Sequence, residues 1–456
     1  MSSSGVSGKK RRIVLLVAGV LGFVLLVMGL RECAPAHTTH YIRDTEGRIV
    51  IYHGVNVASN AKHAENHLPW QTRDDFARLN AWGFNLVRYL VFWEAMEPED
   101  GGFNEEYIAQ TLERIRWLDE LGIDVILDVH QDLYAKRFTG NGFPDWMVHD
   151  GGRKFTPREP WNLNYLEPAV MHSFDTFWRT SSMKARYVDM LEYLLRQVDK
   201  QRNIVGIEVM NEPWPWLGLR FEKKALSTFY EDIQAMHRQN GFRIPLVFEP
   251  ANYTAIGLRS GLSFAPSSGS ILAVHDYDIF LHVRKVYGRL TRWLMPRNMR
   301  VKVNIAESLH MPLLITEFGV APDMTGFDDY LNDTVYWMNR YHIGWTYYSY
   351  DKSSDVRFGI VDDNGQATPI LEHLIQVYPQ RIAGKNPEYT VGEKCFDLAY
   401  DPLDIDAPTI IFIPRSLSVT QLLINGKEQP FDPNSLYVTH ANSSAKDRQT
   451  IHIEWK

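Results

Sequence analysis

The stretch Val209-Met-Asn-Glu-Pro-Trp214 ends an apolar run, Ile204-Val-Gly-Ile-Glu208, by delivering an amide, a carboxylate and a proline to one spot. Burying a charge at the end of such a strand is costly. Asn211 and Glu212 therefore either cap a loop helix that begins at Pro213 or carry chemistry. A second carboxylate, Glu317, ends the apolar run that starts at Leu313 and is followed by Phe318-Gly319. Two carboxyl groups from distant strand ends are what hydrolysis of a glycosidic bond demands. One must be protonated to serve the leaving oxygen, and the other ionised to attack the anomeric carbon or activate water. Like-charge proximity and partial burial push two such pKa values apart. Further polar groups fall at comparable positions: Asn56 after His53-Gly-Val, Arg88, His130-Gln-Asp132, Glu249, His275-Asp-Tyr277 and Trp345. Arg88 is suited to keeping Glu317 ionised, Tyr277 to orienting it, and His275 to acting on the protonation of Glu212. Asn211 is suited to bonding a sugar 2-hydroxyl. With so many polar strand ends, the chemical reading outweighs the capping one.

These residues need a scaffold that gathers strand ends. Eight segments read as strands buried on both faces: Ile49–Val57, Asn85–Trp93, Asp124–His130, Ile204–Asn211, Leu246–Glu249, Ile271–His275, Leu313–Glu317 and Ile343–Tyr350. Helical patterns lie between them, at Thr72–Trp82, Asn104–Leu121, Lys184–Lys200, Lys223–Gln239, Ile279–Trp293, Val301–Ser308 and Asp328–Tyr341. Eight such repeats predict an α/β fold, a (β/α)8 barrel of the TIM type, whose active-site residues sit at the C-terminal strand ends. A doubly wound sheet would want a glycine-rich phosphate turn after an early strand, and the sequence has none. After Pro379 only short strand-like runs remain, with turns such as Asn425-Gly426, which predicts a small C-terminal β-sandwich. The expected organisation is a leader at 1–36, a catalytic barrel at 37–379 and a sandwich at 380–456.

Lys9-Lys-Arg-Arg12 precedes an apolar run over 13–30, which as a helix reaches roughly 27 Å and matches a bilayer core. An uncleaved membrane anchor is expected there, with signal cleavage near Ala34-Pro-Ala36 as the rival; either way the remainder is exported. A net charge of −7 supplies no basic footprint for nucleic acid. The two cysteines, Cys33 and Cys395, build neither a disulfide framework nor a cysteine zinc site. His63 and His67 lack a glutamate directly after the first histidine, so no metal is expected. No cofactor is called for, and no Gly-x-Ser-x-Gly elbow points to a lipase.

Taken together, His53-Gly-Val-Asn56, Asn85-Leu-Val-Arg88, Asn211-Glu-Pro213, His275-x-Tyr277, Thr316-Glu-Phe-Gly319 and Trp345 resemble glycoside hydrolase family five, the cellulase type, over about residues 40–378. Asp128-Val-His-Gln-Asp-Leu-Tyr134, Met210–Trp214 and Tyr347–Asp351 resemble its endoglycoceramidase branch, which releases an intact glycan from ceramide and also carries a C-terminal sandwich. The resemblance implies Glu212 as acid/base, Glu317 as nucleophile and a retaining double displacement. It also implies His130 and Asp132 as holders of the first sugar, with Lys62 as a further sugar contact. The implied partners are a glycolipid substrate and a membrane surface. Rival substrates are glucosylceramide, steryl glucosides and plain β-glucan. A catalytically silent glycolipid-binding protein is the rival of another class, and the presence of both Glu212 and Glu317 speaks against it.

One stretch is not absorbed by the catalytic reading. From Ile279 to Val303 there are seven basic residues and no acid, with Phe280, Val283, Tyr287, Leu290 and Trp293-Leu-Met295 at helical spacing. The plain expectation is a barrel helix with this apolar face turned inward. The alternative is an interfacial helix that meets anionic lipid.

Overall fold

The computed structural model describes residues 37–214, 219–442 and 447–456. The expected leader lies outside the described residues, as does Cys33. Among the described residues, no helix is long and apolar enough to cross a membrane.

Eight parallel strands close into a barrel in chain order: β1 (His53–Val57), β2 (Leu86–Phe92), β3 (Asp124–His130), β4 (Ile204–Glu208), β5 (Leu246–Phe248), β6 (Ile271–Asp276), β7 (Leu313–Phe318) and β8 (Gly344–Tyr347). β8 pairs back onto β1, with His53 opposite Trp345. The strands are apolar almost throughout because helices cover the outer face and packed side chains fill the inner one. Gly54 lets β1 and β2 approach closely, since a Cβ there would lie 2.2 Å from the Leu86 carbonyl oxygen.

The outer helices are α1 (Arg73–Ala81), α2 (Glu105–Glu120), α3 (Pro168–Arg179), α4 (Ser181–Val198), α5 (Ser227–Asn240), α6 (Ile279–Arg284), α7 (Arg289–Leu309), α8 (Phe327–Arg340) and α9 (Pro369–Leu374). Their starts follow capping chemistry. Thr72 and Asp75 form a reciprocal capping box at α1, and the Asn104 side chain accepts from Tyr107 N–H at α2. The expected single helix over 279–293 is instead split. Lys285 adopts the left-handed conformation (φ 62°) and ends α6, and α7 starts after Gly288. The segment 301–308, expected as a separate helix, is the second half of α7.

The C-terminal region forms two antiparallel sheets. One orders Ile49–Val50, Tyr378–Ile382, Thr409–Phe412 and Tyr437–His440. The other orders Gly384–Val391, Cys395–Pro402, Gln449–Trp455, Val419–Ile424 and Lys427–Glu428. Phe396, Leu398, Ile411, Phe412 and Ile453 form a core of their own. Asn425 (φ 52°) and Gly426 (φ 73°) make the tight turn anticipated from their types. The strand Tyr378–Ile382 straddles the expected domain boundary. Ile49, from ahead of the barrel, pairs with Ile382.

Candidate active site

The C-terminal ends of the strands converge on Arg88, which is fully buried in β2. An arginine in a closed barrel must spend all its donors. Its Nε donates to Glu208 (2.7 Å) and its Nη1 to Glu317 (2.6 Å) and Asn56 (2.9 Å). Its Nη2 donates to Glu208 (3.1 Å) and Asn211 (2.9 Å) and lies 3.0 Å from Asp128. One cation from β2 thus locks side chains from β1, β3, β4 and β7, together with Asn211 beyond β4. The Asn211 amide donates to the Gln131 carbonyl (3.0 Å), and the Gln131 amide returns bonds to the carbonyls of Asn211 and Glu212 (3.0 and 3.1 Å). The peptide carrying Glu212 is thereby pinned from both sides.

Glu212 itself has φ 41°, an uncommon conformation for a residue with a side chain and of the kind that clusters at functional sites. Glu249, just beyond β5, holds it there by accepting the Glu212 N–H at 2.6 Å. His275 in β6 lies between the carboxylates. Its Nδ1 is 2.9 Å from Glu212 and 3.6 Å from Glu317, and its Nε2 is 3.5 Å from Glu249. With one nitrogen shared, the facing oxygens of Glu212 and Glu317 are no further apart than those first two lengths end to end. That bound is compatible with the ≈5–5.5 Å separation of direct attack.

The charge states follow from these contacts. Burial alone would raise the Glu317 carboxyl. His275, Arg88, Lys62 and His130 outweigh that and hold it down at about 2. Burial alone would lower His275, but Glu249, Glu317 and Glu212 push it up to about 10. Glu317 is thus ionised, and an imidazolium stands beside Glu212. Tyr277 donates to Glu317 at 3.0 Å, as its position in the sequence suggests.

A second cluster lies beside the first. His130 Nδ1 is 2.6 Å from Asp128 and its Nε2 3.3 Å from Asp132, and Lys62 donates to Asp132 at 2.7 Å. Against the effect of burial, Lys62 and His130 hold Asp132 well below the usual carboxylate range. Lys62 is thereby brought beside Asp132 and His130. Its ammonium also sits 5.0 Å from the centre of the Tyr348 ring.

Trp345 requires correction. It lies in the lower half of β8, fully buried, stacked on His53 (4.4 Å) and edge-on to Phe84 and Phe318. It belongs to the barrel core, and the aromatic at the rim is Tyr348, three residues later. Sequence alone assigns no role to Glu208 or Tyr348; the signal for Glu208 is a charge inside an otherwise apolar run, as with Arg88 and Asp128. Glu208, Glu249 and His275 offer ligand atoms within 4.8 Å of one another. They are engaged with Arg88, with the Glu212 N–H and with Glu212, so the arrangement reads as a proton and charge network.

A closed (β/α)8 barrel with two carboxylates across one imidazole defines a glycoside-hydrolase site. The sequence matches the family Cellulase (glycosyl hydrolase family 5) over residues 47–354, and the chain belongs to that family. It is a retaining glycoside hydrolase. Endoglycoceramidase I of Rhodococcus hoagii is 30% identical over 413 residues, covering 83% of this chain and 79% of the relative. The endoglycoceramidase of Hydra vulgaris is 22% identical over 87% of this chain and 82% of its own length. Among solved structures, endo-glycoceramidase II from Rhodococcus sp. in its ganglioside GM3 complex superposes with a TM-score of 0.83 at 26% identity, over 91% of this chain and 99% of that one. Its lactosyl-enzyme intermediate superposes at 0.81, with the same identity and coverage.

Proposed function

We propose that this enzyme hydrolyses the bond between glycan and ceramide in glycosphingolipids by double displacement, with Glu317 as nucleophile and Glu212 as acid/base. The observation that carries the proposal is the pair of carboxylates on a single imidazole nitrogen, one of them depressed to about 2. Glu317, ionised and oriented by Arg88 and Tyr277, attacks the anomeric carbon. Glu212 gives its proton to the ceramide oxygen, and ceramide leaves. In the second half, Glu212 takes a proton from water, which attacks the glycosyl ester and frees the glycan with its anomeric configuration retained. Asp132, His130 and Lys62 form a charged ledge that suits the hydroxyls of the first sugar, with Tyr348 alongside. The glycan–ceramide reading rests on the endoglycoceramidase relatives, whose similarity extends over most of both chains.

Incubation with a mixed glycosphingolipid extract tests the reading: intact oligosaccharides and free ceramide are expected, and release of glucose alone would overturn it. A 2-deoxy-2-fluoro glycoside with a good leaving group should label the peptide containing Glu317. Glu317→Ser and Glu212→Gln should each lower kcat by at least about 10²–10⁴-fold in a folded protein, the range that positioned acid–base groups contribute.

A further inference from the structure

The basic stretch at 279–303 resolves differently from its plain expectation. Tyr287, Leu294, Met295 and Met299 do turn inward and are buried. Val283, Val286, Leu290 and Trp293 turn outward, at 52%, 44%, 50% and 60% exposure. They are four of the seven strongly exposed large apolar side chains among the described residues. Inward packing therefore accounts for one apolar face and leaves a second in water. On that outer face the apolar residues alternate with exposed Arg284, Lys285, Arg289 and Arg292. The chain as a whole carries −7, so this patch runs against the charge of the molecule.

Its position is equally specific. The stretch follows the C-terminal end of β6, the strand that carries His275. Val286 bridges to Thr325 in the connection after β7, and the Tyr287 hydroxyl donates to Asp333 in α8 (2.9 Å). Trp161 and Leu166, exposed at 52% and 54%, belong to the connection after β3. All of these lie on the barrel face where Glu212 and Glu317 open. Arg292 is held by Asp329 (3.0 Å) and Asp333 (2.6 Å), so its charge is already balanced.

We infer that the outer face of Val283–Trp293 is a docking surface for an anionic lipid bilayer, with Leu290 and Trp293 entering the acyl boundary and Lys285 and Arg289 meeting the headgroups. Apolar side chains interleaved with exposed basic ones fit that interface, because apolar burial and attraction to anionic lipid add. A protein partner of matching acidity would not call for four apolar side chains turned directly into solvent beside the mouth of a lipid-handling site. The inference rests on the glycolipid reading for its purpose, and its test does not depend on that reading.

The test uses the full chain in nanodiscs of phosphatidylcholine alone or with phosphatidylglycerol, without substrate, followed by hydrogen–deuterium exchange. Amides of 281–295 should gain protection in the phosphatidylglycerol discs and not in the neutral ones. Equal protection in both discs overturns the anionic component, and no protection in either overturns the surface. Protection that rises with protein concentration in the absence of discs assigns the face to a second copy and also overturns it. Leu290→Ser with Trp293→Ala, and separately Lys285→Glu with Arg289→Glu, should abolish the protection while a soluble aryl glycoside is hydrolysed at the wild-type rate. Each basic residue at an anionic surface is worth roughly fivefold in partitioning, so the second pair should lower the rate on vesicle-embedded glycolipid by more than about tenfold. An unchanged vesicle rate overturns the proposal. Failure of glycolipid hydrolysis with protection intact would overturn the substrate reading and leave the surface standing.

Discussion

His275 makes the site one electrostatic unit. Its imidazole faces Glu212, Glu249 and Glu317, with Glu208 close behind Glu249. Its pKa is about 10 in the fold, against an ordinary 6.5. A raised pKa of a cationic group contributes stability that is complete below the unfolded value and is lost as pH rises through the folded one. Replacing His275 by Gln leaves the carboxylates without their shared cation. The deficit in Tm relative to wild type should be full at pH 6 and shrink steadily toward pH 10; a deficit constant across that range would refute the assignment. Glu249 acts on the neighbouring main chain. Glu249→Ala leaves the buried Glu212 N–H without an acceptor and should cost about 1–3 kcal/mol in urea unfolding. Glu249→Gln retains an acceptor oxygen and should recover most of the loss, together with kcat.

At the scale of elements, β8 is where register decides function. Trp345 and Tyr348 are both aromatic residues of one apolar run, yet one fills the core and the other meets Lys62. Trp345→Ala should destabilise the protein by about 3–5 kcal/mol, as large-to-small core changes do. Tyr348→Ala should raise KM for a soluble glycoside and leave the denaturation midpoint nearly unchanged. The sequence made the existence of each strand plain, because eight apolar runs are separated by recognisable helix starts. It did not reveal the phase within a run that is apolar on both faces, so Trp345, expected at the rim, lies in the core. Glu212, Glu317, Arg88 and Tyr277 were legible because each is a polar group where an apolar run stops or is interrupted. The split between α6 and α7 was not, since Lys285 carries no mark of its left-handed backbone. α3, from Pro168 to Arg179, also went unmarked, inside a long connection that reads as loop.

For the whole described body, the sandwich serves the barrel as a floor. His53, at the start of β1, stacks between Trp345 (4.4 Å) and Tyr378 (3.6 Å) of the first sheet. Arg381 pairs with Asp124 at the start of β3 (2.8 Å), and the Tyr52 hydroxyl donates to the same carboxylate (2.8 Å). Gly83, ahead of β2, lies so close to Phe412 that a Cβ would sit 2.3 Å from the ring, and its φ of 81° favours glycine in any case. The same sheet takes its edge strand from Ile49–Val50, upstream of the barrel. A chain cut after residue 377 would expose an apolar floor and strand Ile49 and Ile51 without partners, so it should fail to give soluble, active enzyme. Gly83→Val, placed some distance from the catalytic carboxylates, should lower the Tm of barrel and sandwich together. A single calorimetric transition that shifts as one is the expected outcome, since neither part keeps its buried surface without the other. Two transitions, with hydrolysis persisting between them, would show that the barrel stands without its floor.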